Sequence, residues 1–212
     1  MDRAYWVLIT HAASLPAIFI FLWSYKQRKD AESLFIFLKF IFCVTFSLFY
    51  HTRHVSDMAI DEHHRPLWAL LDGYSSTSLI FSTTLYGLRV RPPHFYITAN
   101  TVESVVLVLY LFDDMWFLTT WVLTLSCFVV LVMKWRTAYR YLLRFKCLSC
   151  CTLLSGIAAA GFFATARHSN YIFYHSLWHC CIFMTAAFGA LLRFKLDSML
   201  YPIHQRGQLD SI

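Results

Sequence analysis

The stretch Tyr171–Leu192, YIFYHSLWHCCIFMTAAFGALL, decides the fold. It is long enough to span a bilayer core, which takes about 20 mostly apolar residues, and it contains no Asp, Glu, Lys or Arg. Two polar rings interrupt it. His175 and His179 are four residues apart, so on a helix they stack on one face and both imidazoles reach a common point. A polar pair in a lipid-soluble helix is costly unless a partner or an ion satisfies it, and neutral imidazole is the commonest protein ligand for zinc and similar metals.

The rest of the chain has the same character. Its 212 residues are 58% hydrophobic and 14% charged, with a mean hydropathy of +0.53. A soluble domain carries about a quarter charged residues. Long apolar runs account for the difference, and the reading is an all-α, polytopic membrane protein. Seven spans are predicted as one transmembrane domain over 1–212: 5–25, 33–50, 67–88, 95–112, 115–133, 148–166 and 171–192. Asn100 and Glu103 interrupt the fourth, and Gly156 and Gly161 soften the sixth. Pro16 falls within the first and is expected to kink it. The first span resembles a signal peptide in position, but the basic flank Lys26, Arg28 and Lys29 fits a retained anchor.

Seven cysteines, several of them in apolar segments, do not describe an extracellular disulfide framework. The net charge of +6 records loop asymmetry, and nucleic acid is rejected as a partner. Thirteen Lys and Arg fall on loops one, three and five and the tail. Four (Arg3, Arg53, Arg65, Arg167) fall on the opposite side, and Lys39 lies within the second helix. By the positive-inside bias the N-terminus is outside or lumenal and the C-terminus cytosolic. The chain then belongs in the plasma membrane or in a secretory-pathway membrane, ER or Golgi.

That topology places polar groups together. The second helix ends near Ser47 and His51, again four apart; the third begins with Asp72; the seventh begins with His175 and His179. All fall at similar depth in the outer third of the bundle. A zinc site fits them, with His51, His175 and His179 as ligands and a fourth position open for water, as in catalytic sites. Zinc lowers the pKa of a bound water to about 7. Asp72 is then the group that orients the water and takes its proton, and Ser47 supports a ligand or an oxyanion.

Other polar residues read differently. His54, His63, His64 and His168 are solvated or rim residues of outer loops, and Asp113 and Asp114 an exposed turn. His11, near the outer end of helix one, either lines the site or caps the helix, with the cap the favoured reading. Asn100, about one turn away, is the candidate partner for Glu103. Cys147, Cys150 and Cys151 cluster at the cytosolic start of helix six, either as free thiols or as palmitoylation sites. Lys134 to Lys146 is a basic cytosolic stretch studded with aromatics, an inside marker or a contact for anionic lipid.

Ser47-x-x-x-His51, Asp72 and His175-x-x-x-His179, in this order across seven helices, resemble the CREST superfamily. That group holds alkaline ceramidases, adiponectin-receptor relatives, Per1-type GPI-remodelling proteins and a branch with myomaker and a GPI-directed phospholipase. The His-Ser-Leu-Trp-His-Cys run, 175–180, looks most like the myomaker branch. The tail departs from it: it ends Gln208-Leu209-Asp210-Ser211-Ile212, where myomaker-type tails carry a cysteine cluster. The resemblance implies zinc on the three histidines, a water partner in Asp72 and a supporting contact from Ser47.

Three function classes follow. The first is a zinc-dependent intramembrane hydrolase of an amide or ester bond in a ceramide-, GPI- or phospholipid-type substrate. The second is a non-catalytic, myomaker-like remodelling or fusion protein that keeps the metal for structure. The third is a seven-helix receptor; against it, helix three ends Leu85-Tyr86-Gly87-Leu88-Arg89 with no Asp-Arg-Tyr-type motif, and helix seven has no lysine for a retinal Schiff base. Membrane lipids are the expected substrate or ligand, with a homodimer left open.

Overall fold

A computed structural model describes residues 9–56, 67–112, 116–165 and 171–200, and among them the chain is entirely helical. A 3-10 turn, His11–Ser14, leads into α1 (Leu15–Arg28). Then follow α2 (Ala31–Ser56), α3 (Leu67–Gly87), α4 (His94–Leu111) and α5 (Trp116–Met133). The last three are α6 (Trp135–Arg144), α7 (Lys146–Thr165) and α8 (Tyr171–Leu200). Four of these, α2, α4, α7 and α8, contain stretches long and apolar enough to cross a membrane; the bent pair α5 and α6 makes a fifth if counted as one span. That identifies an integral membrane protein. With Asp72 and seven Ser and Thr residues, α3 falls outside that set.

Pro16 lies in the first turn of α1, where its missing N–H is harmless, so it marks a helix start rather than a kink inside one. The tighter 3-10 turn just ahead of it takes up the change of geometry. The chain leaves α1 through Lys29, whose φ of 55° is left-handed, and Lys29 N–H caps back onto the Tyr25 carbonyl.

α2 packs along α3, α7 along α8, and α1 lies against both α2 and α8. The core between them is aromatic and aliphatic: Phe21, Phe40, Leu85, Tyr86 and Phe95 are fully buried, with Phe183 beside them. On α5 and α7, Leu125, Phe128, Leu154 and Ile157 stay exposed, as side chains facing lipid do.

Two buried charge clusters have no signature in the hydropathy pattern. Lys39 on α2 pairs with Glu103 on α4 and donates to Ser78 (2.7 Å) and Ser82 (3.0 Å) on α3; Ser82 in turn donates to Glu103 (2.9 Å). Glu103 is therefore matched by an opposite charge two helices away rather than by Asn100. A charge at membrane depth is kept when it is paired in this way.

The second cluster joins α1, α2, α3 and α8. Asp197 pairs with Arg28, with Arg89 (2.8 Å) and with Arg193 (3.2 Å), and Arg28 also pairs with Asp30 (3.1 Å). Arg193 reaches toward Glu32 and lies 3.9 Å over the ring of Tyr86, whose hydroxyl meets Ser24 and Ser33. These partners explain why α8 runs eight residues past Leu192, where hydropathy alone ends it.

Candidate metal centre

The expected ligands come together. His51 sits on α2, and His175 and His179 on successive turns of α8; all three are buried. Their Nε2 atoms form a closed triangle: His51 to His175 3.1 Å, His175 to His179 3.1 Å, His51 to His179 3.4 Å.

Hydrogen bonding alone cannot satisfy this triangle. Each Nε2 either carries a proton or offers a lone pair, never both. Among three mutually adjacent atoms two must share a role, so at least one contact opposes like with like. Three lone pairs aimed at one cation remove the conflict. Ligands on a tetrahedral zinc with bonds of about 2.0–2.1 Å stand roughly 3.3–3.4 Å apart, close to the spacing here. The donor set therefore fits zinc or a similar divalent ion, though it does not select zinc among them.

An aromatic layer holds the rings. Tyr171 and Trp178 stack on His175 at centroid distances of 4.6 and 5.1 Å, Phe183 stacks on His179 at 5.8 Å, and Tyr50 lies 4.9 Å from His51. A side-chain hydrogen bond joins Tyr50 to Tyr171. The other ring nitrogen of His179, Nδ1, is buried with no hydrogen-bond partner. That departs from the usual metal-bound histidine, whose second nitrogen donates to an acceptor.

Asp72 and Ser47 are buried, Ser47 one turn before His51 on α2. Ser47 and Ser76 flank the Asp72 carboxylate, although Ser47 Oγ and Asp72 Oδ1 stand outside hydrogen-bond geometry. The carboxylate lies within electrostatic range of Cys43, Tyr50 and Tyr171, the last two touching ligand rings.

Of the two readings of His11, cap or site lining, the structure takes the less favoured: its ring lines the site. Its ring centroid is 4.4 Å from that of His179 and 5.6 Å from that of His51. One ring nitrogen from each of His11, His51 and His179 lies within 4.8 Å of the others. The sequence offers little to find it, because a lone histidine ahead of a proline has no periodic partner.

The side chains of His54, His63, His64 and His168 lie outside the described residues, as do Asp113, Asp114 and the tail from residue 201. Cys147, Cys150 and Cys151 stand in the first turns of α7, the first two exposed, and no disulfide joins any of the seven cysteines.

A cavity of about 570 Å³ begins at the site. His179, Ser76 and Cys43 line one end, and Gly87, Tyr141 and Leu192 the other. Its walls come from α2, α3, α5, α6, α7 and α8 and are mostly apolar. From His179 to Leu192 along α8 is about 20 Å at 1.5 Å per residue.

Residues 3–180 match the family model described as a protein of unknown function, DUF3522. The chain belongs to the DUF3522 family. No curated protein and no solved structure matches this DUF3522 protein.

Proposed function

We propose that this protein is a zinc-dependent intramembrane hydrolase that cleaves an amide or ester bond in a membrane lipid of ceramide, GPI or phospholipid type. In this reading it spans the membrane seven times, with its N-terminus outside or lumenal and its C-terminus cytosolic, and is a member of the CREST superfamily. The observation that carries the reading is the Nε2 triangle of His51, His175 and His179, with a buried carboxylate in electrostatic range of the tyrosines that touch His51 and His175, and an apolar cavity that reaches His179.

His51, His175 and His179 hold the ion. Zinc held there would supply Lewis acidity and bring the pKa of a water it binds down to about 7. Asp72, buried and weakly held by its neighbouring hydroxyls, accepts the proton of the attacking water and returns it to the leaving group. Ser47, one turn before His51 on α2, supports a ligand or an oxyanion. The cavity takes the acyl chain: about 20 Å of length accommodates a long fatty chain while the scissile carbonyl stays at His179.

The test is a lipidomic comparison of membranes carrying wild type and Asp72→Ala. A ceramide, GPI or phospholipid class should accumulate with the variant, and purified wild type should turn it over. Retained metal and folding with no turnover of any such class would favour the second reading, a non-catalytic remodelling or fusion protein that keeps the metal for structure. That reading draws its support from His11, a fourth imidazole where a hydrolytic centre needs an open position.

A further inference from the structure

Three histidines account for the centre, yet four imidazoles meet there. His11 is 4% exposed, and its turn packs on α8 and α2, the two helices that carry the other three rings. The turn is anchored: Ser14 Oγ donates to the His11 carbonyl at 2.6 Å. Nor does the His11 side chain start the helix, since Ser14 holds the N-cap position of α1. The ring instead lies tilted at 43° over that of His179 and edge-on to that of His51.

From these placements we infer that His11 is a fourth nitrogen ligand, closing in the resting protein the coordination position that three histidines leave open. The inference rests on the metal-centre reading above and deepens it. The His11 nitrogen lies within 4.8 Å of those of His51 and His179, against about 3.4 Å for ligands sharing a tetrahedral zinc. For these two rings the difference is at most about 1.4 Å, within what rotation about the two side-chain torsions of a histidine covers, and His175 stands outside that 4.8 Å group.

A site with four protein ligands is closed and one with three is open, so His11 decides which kind this centre is. The other ligands sit on long helices, α2 and α8, whereas His11 sits on a four-residue turn. It is the ligand whose release disturbs the packing least. Lipid entry would displace His11 and reopen that position to water; the neutral imidazole would depart with its own lone pair, with no proton or electron transferred.

The test uses purified full-length protein loaded with Co2+ or Zn2+, comparing wild type, His11→Ala and His11→Gln. X-ray absorption of the zinc form should count four imidazoles in wild type and three in His11→Ala. The visible Co2+ bands should shift between the two, and zinc affinity measured against a chromophoric chelator should fall about tenfold or more, the loss that even an outer-shell partner causes. Three imidazoles in wild type, or Co2+ spectra unchanged by both substitutions, would overturn the role of His11 and leave the three-histidine centre standing. Wild type that binds neither metal would overturn both. The imidazole count needs only wild type, so the result does not depend on a variant folding.

Discussion

At the level of single residues, the rings are not interchangeable. His179 meets His51, His175 and His11, is 1% exposed, and opens onto the cavity, so it is the hub of the cluster. Its loss should release the ion altogether, whereas Asp72→Ala should keep the ion and lose turnover by a factor of about 10²–10⁴, the usual weight of a general acid–base group. Zinc content and lipid turnover measured on the same preparations separate the two, and loss of zinc from Asp72→Ala would make Asp72 a ligand instead. His51, His175 and His179 are legible in the sequence because intervals of four inside apolar runs mark one helix face, and Ser47 and Asp72 because topology sets their depth. His11 is not. It sits on a turn whose direction depends on packing against α8, which no local pattern encodes.

The helices themselves show what hydropathy reads well and where it stops. The expected apolar runs are helical among the described residues, and four of them, or five with the bent α5 and α6 pair, are long and apolar enough to cross a membrane, whereas α1 and α3 are not among these. α6 reads in the sequence as a basic loop stretch and is a helix at 74° to α5. Arg136, Arg140 and Arg144 lie on its exposed side, and Tyr141 turns inward to bond the Gly87 carbonyl at 2.6 Å. Such a segment is amphipathic rather than apolar, so a search for spans passes over it. Ion pairs explain the other differences. Glu103→Gln should leave Lys39 buried against Ser78 and Ser82 alone, at a cost of about 3 kcal/mol, while Lys39→Leu with Glu103→Leu should recover most of the loss. Unfolding in detergent micelles reads this directly; a single variant as stable as wild type would deny the pair its role. Asp197→Asn should lower the thermal midpoint more than Asp30→Asn, since Asp197 serves Arg28, Arg89 and Arg193 and Asp30 serves Arg28.

Taken whole, the molecule has two polar ends and an apolar passage. The histidines gather near the start of α8, the Asp197 cluster gathers near its end, and the cavity runs between. Gly189 lines that passage, and a Cβ built there meets nothing within 4 Å. Gly189→Leu should therefore fill the cavity, keep the fold and the ion, and depress lipid turnover; unchanged turnover would put the acyl chain elsewhere. Charge asymmetry is legible without any structure, but three of the arginines it counts, Arg28, Arg89 and Arg193, are held by acids that only the packing brings near. Hydrolysis, the His11 closure and the role of Asp72 all depend on an ion between His51, His175 and His179. Elemental analysis of protein purified without added metal should find about one zinc per chain, and none in His51→Ala/His175→Ala/His179→Ala. Folded wild type with no zinc or other divalent metal above background would contradict it.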